Sequence, residues 1–265
     1  MGFETARILG KDQKIILVGR TVSKLENAIN ELKSEGIDAE AYPADASDRE
    51  SVRKLVEFAA SQGNVKTVVH AAGISPHMAE GEKIMEVNAL GTIIINEEFG
   101  KVMSEGGCIL NVASMAGYML PEAQAPSQLY QLSLKDGKAF MDGMKQVLAS
   151  VPEEQSRGSA YTISKNFVIW YTVKMALKLG KKGVRVVSIS PGTFSTPMGD
   201  VEGEQAASIA ENGALGRVGD PLEIARMMAF MASDEASYLT GTDILYDGGA
   251  IAAFKDGMEK RQQQQ

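Results

Sequence analysis

The chain has 265 residues, a formal net charge of −7, 44% hydrophobic residues and one cysteine. That length suits one large α/β domain with a substantial core. The lone Cys108 excludes a disulfide framework. The absence of any Lys/Arg-rich block argues against nucleic acid and anionic membrane as partners. No stretch is long enough to span a bilayer and the N-terminus carries no signal-peptide pattern, so the expectation is a cytoplasmic protein.

Apolar runs alternate with helical patterns along the chain, which predicts parallel βαβ units. Lys14 to Val18 is a short buried strand ending at Gly19-Arg20. Ser23 and Glu26 suggest a capping box, with Leu25, Ile29 and Leu32 on one helix face and Gly36 closing it. Ala39 to Tyr42 is a second strand, ending near Asp45. Ser47 and Glu50 repeat the capping pattern ahead of Val52, Leu55, Val56 and Ala59. Val65 to Val69 is a third strand and runs into His70-Ala71-Ala72-Gly73. A helix through Asn88 follows. Cys108 to Val112 is the fourth strand, ending at Ser114, and Cys108 itself reads as a buried strand residue.

A helical segment is expected within Tyr118 to Gly158, with Ser133 and Asp136 as its capping box and Pro152 as its stop. Phe140, Met141, Met144, Val147, Leu148 and Val151 form its apolar stripe, while Gly137 and Gly143 weaken it. The helix carrying Tyr161 runs to about Gly180. Val184 to Ile189 is the fifth strand, ending at Pro191-Gly192. Pro221 to Ala232 is a helix, and Thr242 to Tyr246 a last strand. Residues 256–265 read as a disordered tail.

In open parallel sheets ligands sit beyond the carboxyl ends of the strands. Arg20, Asp45, Ala72-Gly73, Ser114 and Pro191-Gly192 all fall at such ends. Tyr161 and Lys165 stand one helical turn apart on one face. A positive charge beside a phenol favours the phenolate, so this pair can exchange a proton near neutral pH.

Taken in order, these residues resemble the short-chain dehydrogenase/reductase family over nearly the whole chain. His70-Ala71-Ala72-Gly73 is similar to the family's Asn-Asn-Ala-Gly turn, and Val87-Asn88-Ala89-Leu90-Gly91 to its helix asparagine motif. Ser114, Tyr161 and Lys165 match the other tetrad members. Pro191-Gly192 with Thr196 matches the loop over the nicotinamide. Gly216-Arg217, Asp220-Pro221 and Asp247-Gly248-Gly249 match the C-terminal pattern.

The resemblance implies a nicotinamide cofactor carrying the hydride, with the protein supplying position and proton transfer. Tyr161 would protonate a carbonyl oxygen or deprotonate an alcohol. Ser114 would hydrogen-bond that oxygen, Lys165 would lower the Tyr161 pKa and bind the nicotinamide ribose, and Asn88 would hold a water that passes protons from Lys165 to solvent. Cofactor contacts are expected from Gly2, Arg20, Asp45, Ala46, Ala72, Gly73, Tyr161, Lys165, Pro191, Gly192, Thr193 and Thr196. No metal ligands are assigned. NAD-preferring members carry an acid where Gly19 stands, whereas Arg20 can bind a 2′-phosphate, which favours NADP(H) over NAD(H). Asp45 would accept from the adenine amino group.

Two departures stand out. The family's first strand and the earlier glycines of its phosphate-binding turn have no counterpart ahead of Gly2, which implies two unpaired strand edges. A start codon placed too late would explain this. The second departure is the 118–158 insertion, placed like that of bacterial 3α-hydroxysteroid dehydrogenase/carbonyl reductases. Its stripe faces either the protein's own surface, a substrate or a second subunit.

The resulting expectation is a single Rossmann-type, doubly wound α/β domain over 1–255, lacking the first strand and glycine-rich turn. Its function is hydride transfer between NADP(H) and a ketone or secondary alcohol, in a homo-oligomer (dimer or tetramer). A 3α-hydroxysteroid-type dehydrogenase and a 3-oxoacyl-thioester reductase are rivals within the class. A catalytically silent cofactor-binding scaffold is the rival outside it.

Overall fold

The computed structural model describes residues 1–196, 203 and 207–263. The described elements, in chain order, begin with α1 (Gly2–Leu9), β1 (Ile15–Gly19), α2 (Val22–Ser34), β2 (Ala39–Pro43), α3 (Arg49–Gln62) and β3 (Thr67–His70). Next come α4 (Gly81–Met85), a π-helical turn (Glu86–Leu90), α5 (Gly91–Val102), β4 (Cys108–Val112) and a 3₁₀ turn (Met115–Met119). The insertion contributes α6 (Ser127–Ser133) and α7 (Gly137–Ala149). Then follow α8 (Glu153–Leu179), β5 (Arg185–Pro191), α9 (Pro221–Ala232), β6 (Asp243–Tyr246) and α10 (Ala250–Gln262).

Every strand ladder is parallel. Ile15 lies opposite Ala39, Thr67 opposite Cys108, Cys108 opposite Arg185 and Ser188 opposite Asp243. The strands divide into two sheets, β1-β2 and β3-β4-β5-β6. Among the described residues no strand pairs with the second edge of β1 or of β3. These are the two open edges expected from a missing central strand. Their residues show it. β5 is buried throughout and β4 nearly so, whereas β1 is half-exposed and its Val18 is 43% exposed.

The two sheets nevertheless lie between the same helical layers. Ile16 of β1 and Val68 of β3 pack on one core cluster, built from α3, α5, α7 and α8. On the opposite face, Met1 and Val69 pack against Ile224 and Met228 of α9. Phe3 of α1 packs with Ile15 and Leu17 against Ile29 and Leu32. Helix α1 therefore bridges the sheets on one side. Leu25, Ile29, Leu32, Val52, Leu55, Val56 and Ala59 are all buried, as their spacing predicts.

Three helix starts differ from expectation. Helix α2 begins at Val22 after Thr21, so Ser23 and Glu26 lie inside it. Helix α3 is capped by Asp48, which accepts from the Glu50 and Ser51 amides, because Ser47 is already committed to Asp45. Ser133 ends α6 instead of opening a helix, its hydroxyl donating to Tyr130 O. Asp136 is itself the cap of α7, accepting from Lys138 and Ala139. Asx side chains reach their own N2 and N3 amides, and that local geometry decides the boundary. The expected tail from 256 is instead helical to Gln262, supported by a Lys260–Asp256 pair at 2.6 Å one turn apart.

The insertion is two helices, and its stripe faces the protein's own core. Phe140 is fully buried and stacks on Phe167 of α8 at 4.8 Å. Tyr130 meets the same ring edge-on at 5.2 Å. The Tyr130 hydroxyl donates to Ile163 O at 3.1 Å. Gly143 sits mid-helix because a Cβ there would lie 2.5 Å from a Leu129 methyl, so α6 and α7 close on a glycine. Pro152 does not stop α7, which ends at Ala149; it immediately precedes α8. No helix among the described residues is long and apolar enough to cross a membrane.

Candidate active site

Helix α8 carries Tyr161 and Lys165 past the carboxyl ends of β4 and β5. Lys165 is only 5% exposed, yet its ammonium is held by the protein. Nζ donates to Val112 O at 3.0 Å, at the last residue of β4, and lies 5.8 Å from the centroid of the Tyr161 ring. Buried ammonium groups need such partners. Gly73 leaves the approach open. A Cβ built there would sit 3.3 Å from Lys165 Nζ and 3.2 Å from Asn88 Oδ1, close enough that both polar groups would have to give way by a few tenths of an ångström.

Asn88 lies in the π-helical turn between α4 and α5, 1% exposed. Its amide is fully engaged. Oδ1 accepts from Ile74 N–H at 2.9 Å, and Nδ2 donates to Ile74 O at 3.0 Å and to Ser164 Oγ at 3.2 Å. The side chain thus fixes the segment leaving Gly73 against α8. Asn88 O accepts the Thr92 hydroxyl at 2.7 Å. A buried polar line continues inward from there, with Asn96 Nδ2 donating to Thr92 O and to Asn111 Oδ1, and Asn111 Nδ2 to Thr172 Oγ1.

Ser114 caps the 3₁₀ turn that follows β4, accepting from Ala116 N–H at 3.2 Å. Gly117 in that turn packs directly on α8. A Cβ there would be 2.9 Å from the Lys165 carbonyl carbon and from Asn166 N, and Asn166 Nδ2 donates to Gly117 O at 2.9 Å. The serine turn is therefore seated on the Lys165–Asn166 backbone.

The other expected residues divide between the two sheets. Gly192 N donates to Tyr246 O at 3.0 Å, and a Cβ on Gly192 would be 2.7 Å from Asp247 Cα, so the exit of β5 leans on the end of β6. Thr193 O accepts from Gly219 N–H at 3.0 Å beside a cavity of about 120 Å³ lined by Thr193, Phe194, Leu215 and Tyr246. Thr196 is described, whereas residues 197–202 and 204–206 lie outside the described residues. Gly2 begins α1 hard against the β3 exit, its Cβ position 3.0 Å from Ala71 Cβ, with Ala72 exposed next to it.

Arg20, Asp45 and Ala46 stand at the ends of β1 and β2. Burial acts to raise the Asp45 carboxyl. Hydrogen bonds from the Ser47 hydroxyl (2.7 Å) and amide (2.9 Å), with the charges of Lys83 and Arg20, outweigh it and hold the group below the usual carboxylate range. Gly91 links this half to the half that carries Tyr161 and Lys165, its Cβ position lying 3.5 Å from Ala46 O. A groove of about 640 Å³ is lined by Ser47 and Arg49 at the start of α3, Leu90, Ile94 and α7, and Tyr161 is not part of its lining.

Three residues escape sequence reasoning. His70 is buried and its Nε2 has no hydrogen-bond partner. Burial, and then the Lys165 charge, press its pKa down to about 4. Tyr118 donates to Asp243 Oδ2 at 2.8 Å across 125 positions of sequence. Only the unusual histidine in the Ala-Ala-Gly turn carried a signal, and it read as a motif variant.

Comparison with known proteins agrees with this architecture. The family model described as "short chain dehydrogenase" matches residues 1–150, and that described as "Enoyl-(Acyl carrier protein) reductase" matches residues 144–250. The "Short-chain dehydrogenase/reductase bsc3" of Alternaria brassicicola is 33% identical over 257 residues, covering 95% of this chain and 92% of its own. The "Cis-4-hydroxycyclohexanecarboxylate dehydrogenase" of Sinomonas cyclohexanicum is 25% identical over 264 residues, covering 95% and 92%. Among solved structures, a short chain dehydrogenase of Burkholderia cenocepacia in complex with NADP superposes with a TM-score of 0.73 at 22% identity, over 94% of this chain and 92% of that one. At that identity the likeness shows the fold alone.

Proposed function

Because the chain belongs to the short-chain dehydrogenase/reductase family of oxidoreductases, we propose that it transfers a hydride between NADP(H) and a ketone or secondary alcohol, with Tyr161 as general acid/base. The observation that carries the reading is the convergence on one buried ammonium: Lys165 Nζ meets the Val112 carbonyl, the Tyr161 ring and the glycine window beside Asn88.

The residues fit a nicotinamide dinucleotide. Gly73 bares the approach to Lys165, Gly192 holds the β5 exit down on β6, and α1 offers its N-terminal amides from Gly2 beside Ala71. Arg20 and Asp45 suit the adenosine end. Arg20 supports NADP(H), since a guanidinium offers a planar fork to a 2′-phosphate. When bound, the cofactor supplies or accepts the hydride.

Within this reading the protein moves the proton. Lys165, desolvated and fixed by Val112 O, favours the phenolate form of Tyr161. In reduction Tyr161 Oη gives its proton to the substrate oxygen, and Ser114 Oγ donates a hydrogen bond to the same atom. Asn88 pins Ile74 and Ser164, so the floor under Lys165 keeps its shape. In this reading Asn88 also holds the water that passes protons from Lys165 to solvent. The substrate is a small-molecule carbonyl compound.

A cofactor-binding scaffold without turnover is the second reading, favoured by the open edges of β1 and β3 beside the start of α1. NADPH fluorescence titration followed by a ketone and alcohol panel with both cofactors separates the two. Tyr161→Phe is expected to lower turnover by about 10²–10⁴-fold while leaving NADPH affinity nearly unchanged. Retained turnover in that variant refutes the proton-donor role, and tight NADPH binding with no turnover in the wild type selects the scaffold.

A further inference from the structure

We propose that Tyr118 and Asp243 form a positioning clamp that holds the Ser114 turn at a fixed place over α8 and ties it to the strand supporting the Pro191–Gly192 loop. The proposal rests on the ketoreductase reading for its catalytic consequence and on geometry for the clamp itself.

The 3₁₀ turn after Ser114 is short and has two side anchors. On one side Gly117 sits on the Lys165–Asn166 backbone and accepts from Asn166 Nδ2 at 2.9 Å. On the other, the Tyr118 hydroxyl reaches β6 and donates to Asp243 Oδ2 at 2.8 Å. The first anchor sets the distance of the turn from Lys165. Without the second, the turn could still pivot about Gly117, and Ser114 would swing with it.

Asp243 is an odd residue for its position. It opens β6, where β-branched or aromatic side chains pack best, and a carboxylate is costly to bury even in part, as it is here. The strand keeps it, and its bonds explain why. Oδ1 accepts from the fully buried Ser188 hydroxyl at 2.6 Å, which fixes the carboxylate to β5. Burial raises the Asp243 carboxyl, with the surrounding hydroxyls opposing that rise. Burial also raises the Tyr118 phenol, with the Asp243 charge acting in the same direction, so Tyr118 remains a donor. Three residues beyond Asp243, Tyr246 O receives Gly192 N–H at 3.0 Å, and Asp247 lies against Gly192. One strand end thus supports both the turn that carries Ser114 and the loop expected over the nicotinamide.

The test compares Tyr118→Phe, Asp243→Val and Asp243→Asn with the wild type, by hydrogen exchange of the 113–119 amides and by steady-state ketone reduction. A net hydrogen bond of ordinary strength predicts about fivefold to tenfold faster exchange at Ala116 and Gly117 in Tyr118→Phe and Asp243→Val. A matching drop in kcat is expected, with KM for the ketone and NADPH affinity within about twofold, because the loss concerns only the transition state. Asp243→Asn keeps an acceptor for Tyr118 and is expected to recover most of both signals. Unchanged exchange at 113–119, or faster exchange spread evenly over the chain, overturns the clamp. Altered exchange with unaltered kcat overturns its catalytic role. A wild type that reduces no ketone refutes the hydride-transfer reading, and the exchange pattern still decides the clamp.

Discussion

His70 makes the protein acid-sensitive in a window where its carboxylates do not. The imidazole is buried at the end of β3, its Nε2 unpaired, and its pKa falls from 6.5 to about 4, first through burial and then through the Lys165 charge. In the unfolded chain it recovers an ordinary histidine pKa. The unfolded state therefore binds more protons than the folded state between those two values. Stability is fully present above pH 6.5 and is lost progressively as the pH falls toward 4. At about 1.36 kcal/mol per pH unit, the whole window is worth about 3 kcal/mol. About 2 kcal/mol of that is gone near pH 5.

The assay is urea denaturation of the wild type and His70→Asn at about pH 7.5 and about pH 5. The asparagine amide does not titrate, so the variant should lose about 2 kcal/mol less than the wild type on acidification. Asp45, Glu98 and Glu223 titrate below the usual carboxylate range and act at lower pH, while the raised Asp243 acts with the opposite sign. All four are common to both proteins and cancel in the comparison. Parallel loss of stability in the two proteins refutes the argument and would mean that His70 reaches solvent or a partner when folded.

Phe140→Ala is expected to cost about 3–5 kcal/mol in urea denaturation, because the ring is fully buried on Phe167. A cost below about 1 kcal/mol would refute the core packing of the stripe and return it to facing a substrate or a second subunit. Appending a designed strand and glycine-rich turn ahead of Met1 is expected to raise the melting temperature and to tighten NADPH binding at least about tenfold, since it closes two open edges and adds amide donors at α1. Unaltered binding and melting would show that the interval between β1 and β3 accepts no strand.

Strands were legible because a buried parallel strand is written as a contiguous apolar run, which pattern reading locates within a residue or two. Cys108–Val112 was placed without error, and Val65–Val69 slipped only because pairing with β4 begins at Thr67. Helix starts were less legible. Ser47 looks like a cap in sequence, but Asp45 takes its hydroxyl and Asp48 outcompetes it. The break at Leu134–Asp136 that splits the insertion is equally local, and a capping box reads straight through it. What the sequence could not carry is pairing over long distance. Tyr118 and Asp243 are ordinary residues until the fold joins them, and nothing in the string shows that the histidine of the Ala-Ala-Gly turn lies buried near a lysine 95 positions later.

The expected site falls on both sheets, and the joints between them decide how it behaves. The residues proposed for proton transfer belong to the four-stranded sheet and its helices, tied by hydrogen bonds from Asn88 to Ser164 and from Lys165 to Val112. Arg20 and Asp45 belong to the two-stranded sheet. No strand ladder joins the halves among the described residues. They meet through α1, through Gly91 against Ala46 and through the shared core around Ile16 and Val68. Side-chain packing across a gap resists sliding less than a ladder of backbone hydrogen bonds does. Loosening that joint moves Arg20 and Asp45, the proposed adenosine contacts, relative to Lys165 without disturbing the bonds that orient Lys165. Perturbations at α1 or Gly91 should therefore appear first in cofactor affinity, and those at Tyr118, Asn88 or Gly117 first in kcat.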